Sequence, residues 1–299
     1  MQTNQIAHTL DDLHSAQTMN LNDGVAHCIT GQARSITLPC VRDALARNVF
    51  AQFPEKKQAA FVHFSTAPAS KLNLLRKVVV DTENVSLLKK LAWSLPFVKN
   101  VSVGPATVPS CLAQRVRDAA TILMWNSIRA CFDMVRVFEK RNDIRFGTIS
   151  RLRPDAVFFA ALPSVQLSLP VAWIPKGGLL QGCSRCANDH LAIVHREVAE
   201  LYFEGIAKLS SNCDSGVQFN LRWNSVRLNR SVGVGEEIHF GPGFGYHSVG
   251  LPVRSFQWPY ALSARKCVRA SCMSLQCQRV TDPELRRWCT RWTCKESAT

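Results

Sequence analysis

Apolar positions in the first third of the chain alternate between two spacings. The run 25-VAHCIT-30 is a short apolar strand, followed by the turn 31-GQAR-34. In 39-PCVRDALARNVF-50, Val41, Ala44, Leu45, Val49 and Phe50 approximate one helix face, with Pro39 in the permitted first turn. A second strand is read at 59-AAFVHFS-65. Strand, turn, helix and strand in this order open an α/β unit. Lys71–Val80 fits helix or strand equally, Ser86–Leu95 predicts a helix, 97-FVKNVSV-103 a strand, and the proline-bearing 104-GPATVPS-110 a loop.

The longest helical pattern lies in 112-LAQRVRDAATILMWNSIRACFDMVRVFEKRND-143. Val116, Ala119, Ala120, Leu123, Met124, Ile128, Cys131, Phe132, Val135 and Phe138 recur at three and four, over a length that suits one helix or two. A strand follows at 144-IRFGTIS-150 and a short one at Val157–Phe159. Further on, 170–178 reads as strand and loop, 180–190 as loop, and 191–209 as a strand turning into a helix. Residues 217–229 read as helix with some strand character, and the glycine-rich 232–253 as loop. The pattern gives three regions: a polar lead-in at 1–23, a main domain at 24–260, and a basic, cysteine-rich extension at 261–299.

Composition narrows the partners. The 299 residues are 46% hydrophobic, enough for a sizeable core, and the formal charge is +14. That charge favours anionic partners such as nucleotide phosphates, nucleic acid, acidic glycans or a membrane surface, though an ordinary basic surface gives the same total. The extension alone holds eight Lys/Arg against three acids. Trp288 and Trp292 among its arginines suit single-stranded nucleic acid, a membrane or glycan surface, or a disulfide-stapled cap. No nucleic-acid fold motif accompanies them. The start of the chain shows neither the basic nor the apolar region of a signal peptide, and no apolar run reaches the ~18 residues of a membrane span.

The 12 cysteines permit disulfides, zinc or free thiols. Cys183-x-x-Cys186 has no second pair of the kind a zinc site uses, and the late spacing Cys267, Cys272, Cys277, Cys289, Cys294 matches no zinc finger. Disulfides in an oxidising lumen fit better. Cys28, inside an apolar strand, reads as packing.

The sharpest chemistry lies in 151-RLRPDAVFF-159. Arg151, Arg153 and Asp155 stand where a buried strand ends, and ligands of open α/β sheets bind at that edge. Arginine suits phosphate through its paired charged hydrogen bonds, and aspartate suits a divalent metal bridging a diphosphate. An Arg–Asp ion pair closing the strand end explains the same residues without a ligand. Gly31 would let a backbone approach a ligand closely, with Gln32 and Arg34 able to hold a base or phosphate, and an ordinary βα turn has the same look. Asn188, Asp189 and His190 offer either a general base toward an acceptor hydroxyl or a helix or turn cap. His239 and His247 are lone histidines in the glycine-rich segment.

Three stretches in chain order, CITGQARSITLPC (28–40), FGTISRLRPDAVFFAALP (146–163) and NDHLAIVHREVAELYF (188–203), resemble segments of a family of plant and algal glycosyltransferase-like proteins with a GT-A-type fold. The resemblance covers roughly residues 24–210. It implies a three-layer α/β/α sandwich with a mostly parallel mixed sheet. It also implies sugar transfer from a nucleotide-diphosphate sugar to a glycan or other hydroxyl acceptor, and a Golgi or secretory lumen. Under it, Gly31, Gln32, Arg34 and Asn188 contact the nucleotide side, and Arg151 and Arg153 manage the diphosphate. Asp155, with His247 as a late histidine, would hold Mn²⁺ or Mg²⁺, and Asp189 would orient or deprotonate the acceptor. The chain departs from the family at one place: Arg153 occupies the position of one acid of the Asp-x-Asp, as in enzymes that use basic side chains without metal. A relative that keeps the fold without the chemistry, and a nucleic-acid binder acting through the basic tail, are the two rival readings.

Overall fold

The computed structural model describes residues 21–31, 36, 39–66, 85–105, 116–175, 190–211, 226–231, 235–240, 247–256, 259–262 and 287. The elements are β1 (Leu21–Gly31), α1 (Pro39–Asn48), a short 3₁₀ turn (Phe50–Gln52), β2 (Gln58–Thr66), α2 (Val85–Trp93), β3 (Val98–Pro105), α3 (Val116–Asn142) and β4 (Arg145–Leu152). They continue as β5 (Ala156–Phe158), β6 (Ala172–Pro175), β7 (Leu191–His195), α4 (Arg196–Ser211), β8 (Val226–Ser231), β9 (Gly235–Phe240), β10 (His247–Phe256) and β11 (Tyr260–Leu262).

Among the described residues nine strands form one sheet in the order β3-β2-β1-β4-β7-β6-β10-β9-β8. The first four run parallel. β7 is antiparallel to both β4 and β6, β10 returns parallel to β6, and β9 runs antiparallel to β10 and to β8. β5 and β11 form a separate antiparallel pair. Strands joined by helices need crossovers, and the crossover helices cover both faces.

Two apolar clusters fill the two spaces between sheet and helices. Ala26 and Cys28 of β1 join Ile128, Phe132 and Val135 of α3 and Ala199 and Phe203 of α4. Val25 and Ile29 join Leu45 of α1, Leu88 and Ala92 of α2, and Phe50 and Phe53. Alternate residues of one strand thus serve opposite layers, as the period of two requires. The result is the three-layer α/β/α sandwich with a mostly parallel mixed sheet that the resemblance implied.

Several sequence expectations are corrected. β1 begins at Leu21, inside the stretch read as lead-in. The 112–143 pattern, open between one helix and two, is settled as one helix, Val116–Asn142. Its end is set by Asp143 in the left-handed region (φ 50), where a short polar side chain is tolerated, and by the Ile144 N–H donating to the Glu139 carbonyl (3.1 Å). Residues 226–229, read as helix with some strand character, belong to strand β8, and the glycine-rich stretch read as loop contains β9 and most of β10. Packing against a growing sheet overrides weak local preference there. Cys28 does more than pack: it forms a disulfide with Cys131, 103 residues away, tying β1 to α3 with Cα atoms 5.8 Å apart. The cysteine-rich extension lies outside the described residues, apart from the short β11 end and Arg287. Among the described residues no helix is long and apolar enough to cross a membrane.

Candidate functional site at the carboxyl edge of the sheet

Register brings three of the singled-out stretches to one edge. β1 and β4 run parallel with Ile29 opposite Leu152, so both chains leave the sheet on the same side. Gly31 then meets Pro154: a Cβ at Gly31 would lie 3.2 Å from Pro154 Cδ, and its φ of 140° disfavours any side chain. β7 runs the other way, with Leu191 opposite Leu152, so His190 enters the sheet at the edge where β4 leaves it.

Arg153 and Asp155 form a two-pronged ion pair. Arg153 Nε donates to Asp155 Oδ1 and Nη2 to Oδ2, both at 2.8 Å. The Asp155 side chain is 3% exposed and that of Arg153 19%, so the pair sits at the boundary between core and solvent. The planar fork of guanidinium matches a carboxylate in this geometry. Arg151 is fully buried. It pairs in register with Cys28 and Ala192, so by alternation it points into the α3/α4 layer rather than out at the edge.

The structure adds residues that the sequence did not single out. Tyr260 of β11 is hydrogen-bonded to His190, with its hydroxyl 3.1 Å from Nδ1, and pairs across to Phe158 of β5. Thr30 and His63 stand side by side near the ends of β1 and β2 and are buried. Thr30 Oγ1 and His63 Nδ1 hydrogen-bond to none of the described residues. Burial lowers the pKa of His63 below that of an ordinary histidine, which keeps the ring neutral. A polar residue closing the apolar run VAHCIT and another inside FVHFS were the available signal. Tyr260 had none, because its contact with His190 spans 70 residues.

Other candidates fall outside this geometry. Gln32, Arg34, Asn188 and Asp189 lie outside the described residues, as do the side chains of His239 and His247.

The residues described do not build a cation site. Both Asp155 oxygens are held by Arg153, and among the described residues no three His, Cys, Asp or Glu side chains are grouped to hold a metal ion.

No family model and no curated protein matches the chain. Among solved structures, the apo form of the glycosyltransferase GlyE of Streptococcus pneumoniae TIGR4 is similar at 8% identity and a TM-score of 0.31, covering 66% of this chain and 40% of that one. The bifunctional glycosyltransferase WbbM is similar at 10% identity and a TM-score of 0.29, covering 64% of this chain and 35% of that one. This chain therefore spans well under half the length of either protein. Overlaps this loose say nothing of chemistry, which rests on the strand order and on the residues at the edge.

Proposed function

We propose that the chain binds a nucleotide-diphosphate sugar at the carboxyl edge of its sheet and transfers the sugar to a hydroxyl acceptor. The observation that carries this reading is the meeting of Gly31, the Arg153–Asp155 pair and His190 on one edge, from three separate stretches of sequence. Ligands of open α/β sheets bind in the crevice outside the carboxyl ends of the strands. Gly31 packs against Pro154 and so brings the first turn beside the Arg153–Asp155 pair, with Gln32 and Arg34 following it in the chain toward the nucleotide. Arg153 can turn one prong toward a diphosphate while Asp155 keeps the other, which compensates the charge of the leaving group without a metal. In the transfer, the bond from the anomeric carbon to the diphosphate oxygen breaks and the electron pair leaves with the nucleotide. The acceptor oxygen forms the new bond, and its proton passes to Asp189. The Cys28–Cys131 disulfide supports an oxidising compartment as the place of work.

The closed Arg153–Asp155 pair equally favours a second reading, in which a nucleotide is bound and no sugar is transferred. Calorimetry with UDP, GDP and CMP, with and without Mn²⁺, tests both. One nucleotide should bind the wild type, and Arg153→Gln should weaken it about tenfold, by loss of a charge-assisted hydrogen bond. Release of that nucleotide from the matching sugar donor separates transferase from binder. No binding by the folded wild type would sink both readings.

A further inference from the structure

We infer that the α2–β3 margin of the sheet is a docking face for an anionic lipid bilayer. Five large hydrophobic residues among the described residues are exposed, and three of them fall within one short stretch: Leu87 (43%), Trp93 (52%) and Phe97 (46%). The other two, Val137 and Leu201, stand singly on α3 and α4. Scattered exposed apolar residues are ordinary, whereas a cluster of them calls for a partner.

Their placement follows from the helix. Leu88 and Ala92 of α2 are buried against the sheet, which turns the opposite face outward. Leu87, Lys90 and Trp93 follow one another at intervals of three on that outer face, one ridge of the helix. Phe97 comes next, after the turn. Its backbone is left-handed (φ 63), a conformation rare for a bulky residue and costly without a reason. The conformation is fixed on both sides. The Phe97 carbonyl accepts the Ala60 N–H at 2.8 Å, and its ring stands edge-on to Phe50 with centroids 6.0 Å apart. A half-exposed aromatic is thus held rigidly at the surface.

Charge selects the partner. Lys89, Lys90 and Lys99 are exposed between and beside these residues, and the stretch 85–105 contains no Asp or Glu. Apolar and aromatic side chains interleaved with lysines, and free of acids, suit the interface of a bilayer carrying negative headgroups. A protein partner of ordinary surface would be expected to meet acids as well as lysines. Geometry leaves the candidate site free: Phe97 precedes β3 and so marks the amino edge of the parallel strands, whereas Gly31, Arg153 and His190 mark the carboxyl edge. A membrane on the first edge leaves the second open to solution. Among the described residues β3 is also the last strand of the sheet, so pairing with a second copy of the chain is the competing outcome.

The test is flotation of the full chain with vesicles of phosphatidylcholine alone and with added phosphatidylserine. Binding should need the anionic lipid and fade with salt. Lys90→Gln should weaken it about fivefold, the worth of one lysine at such a surface. Trp93→Ser should weaken it about tenfold, while Leu201→Ser, an exposed apolar residue off the patch, should leave it unchanged. Trp93→Ser should still bind nucleotide as the wild type does, so failure here is distinct from failure of the transferase reading. Three results would overturn the inference. One is equal flotation of wild type, Lys90→Gln and Trp93→Ser. Another is loss of flotation only when Arg286, Arg287 and Arg291 of the tail become Gln. The third is a wild-type dimer that Trp93→Ser makes monomeric, with no vesicle binding by either.

Discussion

The two layers on either side of the sheet handle buried polarity in opposite ways. On the α3/α4 side the buried charges of Glu139, Arg196 and Glu204 are held in ion pairs, while the neutral Thr30 and His63 lie on the same face at its edge. Arg196 donates to both oxygens of Glu139, at 3.3 and 3.1 Å, and Glu139 also accepts the Phe146 N–H at 2.9 Å. Arg136 pairs with Glu204, and the guanidinium groups of Arg136 and Arg196 both lie over the Phe132 ring. On the α1/α2 side the buried group is neutral. His27 bonds Ser150 Oγ at 2.8 Å and Gln58 Oε1 at 3.0 Å, among the rings of Phe50 and Phe53. Complete burial pushes its pKa down to about 4, against which the Gln58 hydrogen bond works only weakly. Neighbouring residues of the same two strands make the split: His27 and Ser150 serve one layer, Cys28 and Arg151 the other. A buried charge persists where a facing helix supplies its partner, and elsewhere the chain uses a group that can shed its charge.

The difference can be broken from the charged side. Glu139→Ala leaves Arg196 buried with its main counter-charge gone, and should cost about 3–5 kcal/mol in urea unfolding. A cost below ~1 kcal/mol would show that water or Glu200 replaces the pair. The neutral side is tested by pH. The folded pKa of His27 lies below the ordinary 6.5, so between about 6.5 and 4 the unfolded chain binds the extra proton. Stability is then full above pH 6.5 and falls as pH drops toward 4, by about 3 kcal/mol from this residue. His63 acts in the same direction. The wild-type slope minus that of His27→Gln isolates the effect from carboxylates titrating at the lower end, and identical slopes would refute it. The smallest change sharpens the contrast: Ser150→Ala removes one neutral partner of His27 and should cost about 1–2 kcal/mol, measured at pH 7. A cost like that of Glu139→Ala would mean that the two layers do not differ.

Much of the frame was legible along the chain. Strand and helix periods are local, so β1, α1, β2, β3, α3 and β4 could be placed from spacing alone. The edge stretches could be named because a turn glycine, a pair of arginines and a lone acid are unusual at a strand end. The late strands were hidden, since glycine-rich segments take on strand character only when a neighbouring strand offers hydrogen bonds.

Residue type determined that Arg153 and Asp155 carry opposite charges at the end of a strand. Only the folded backbone decided that both carboxylate oxygens meet the guanidinium, which changes the groups left to meet a ligand. The same holds for Cys28 and Cys131, which the sequence presents as two core residues and the fold as a crosslink. It holds for His27 and Ser150, 123 residues apart, and for the meeting of Gly31, Arg153 and His190 at one edge. Sequence sets which groups are present and how each short segment coils, because those depend on neighbours a few bonds away. Strand order and register set which groups meet, because contacts between distant segments exist only once the sheet has formed.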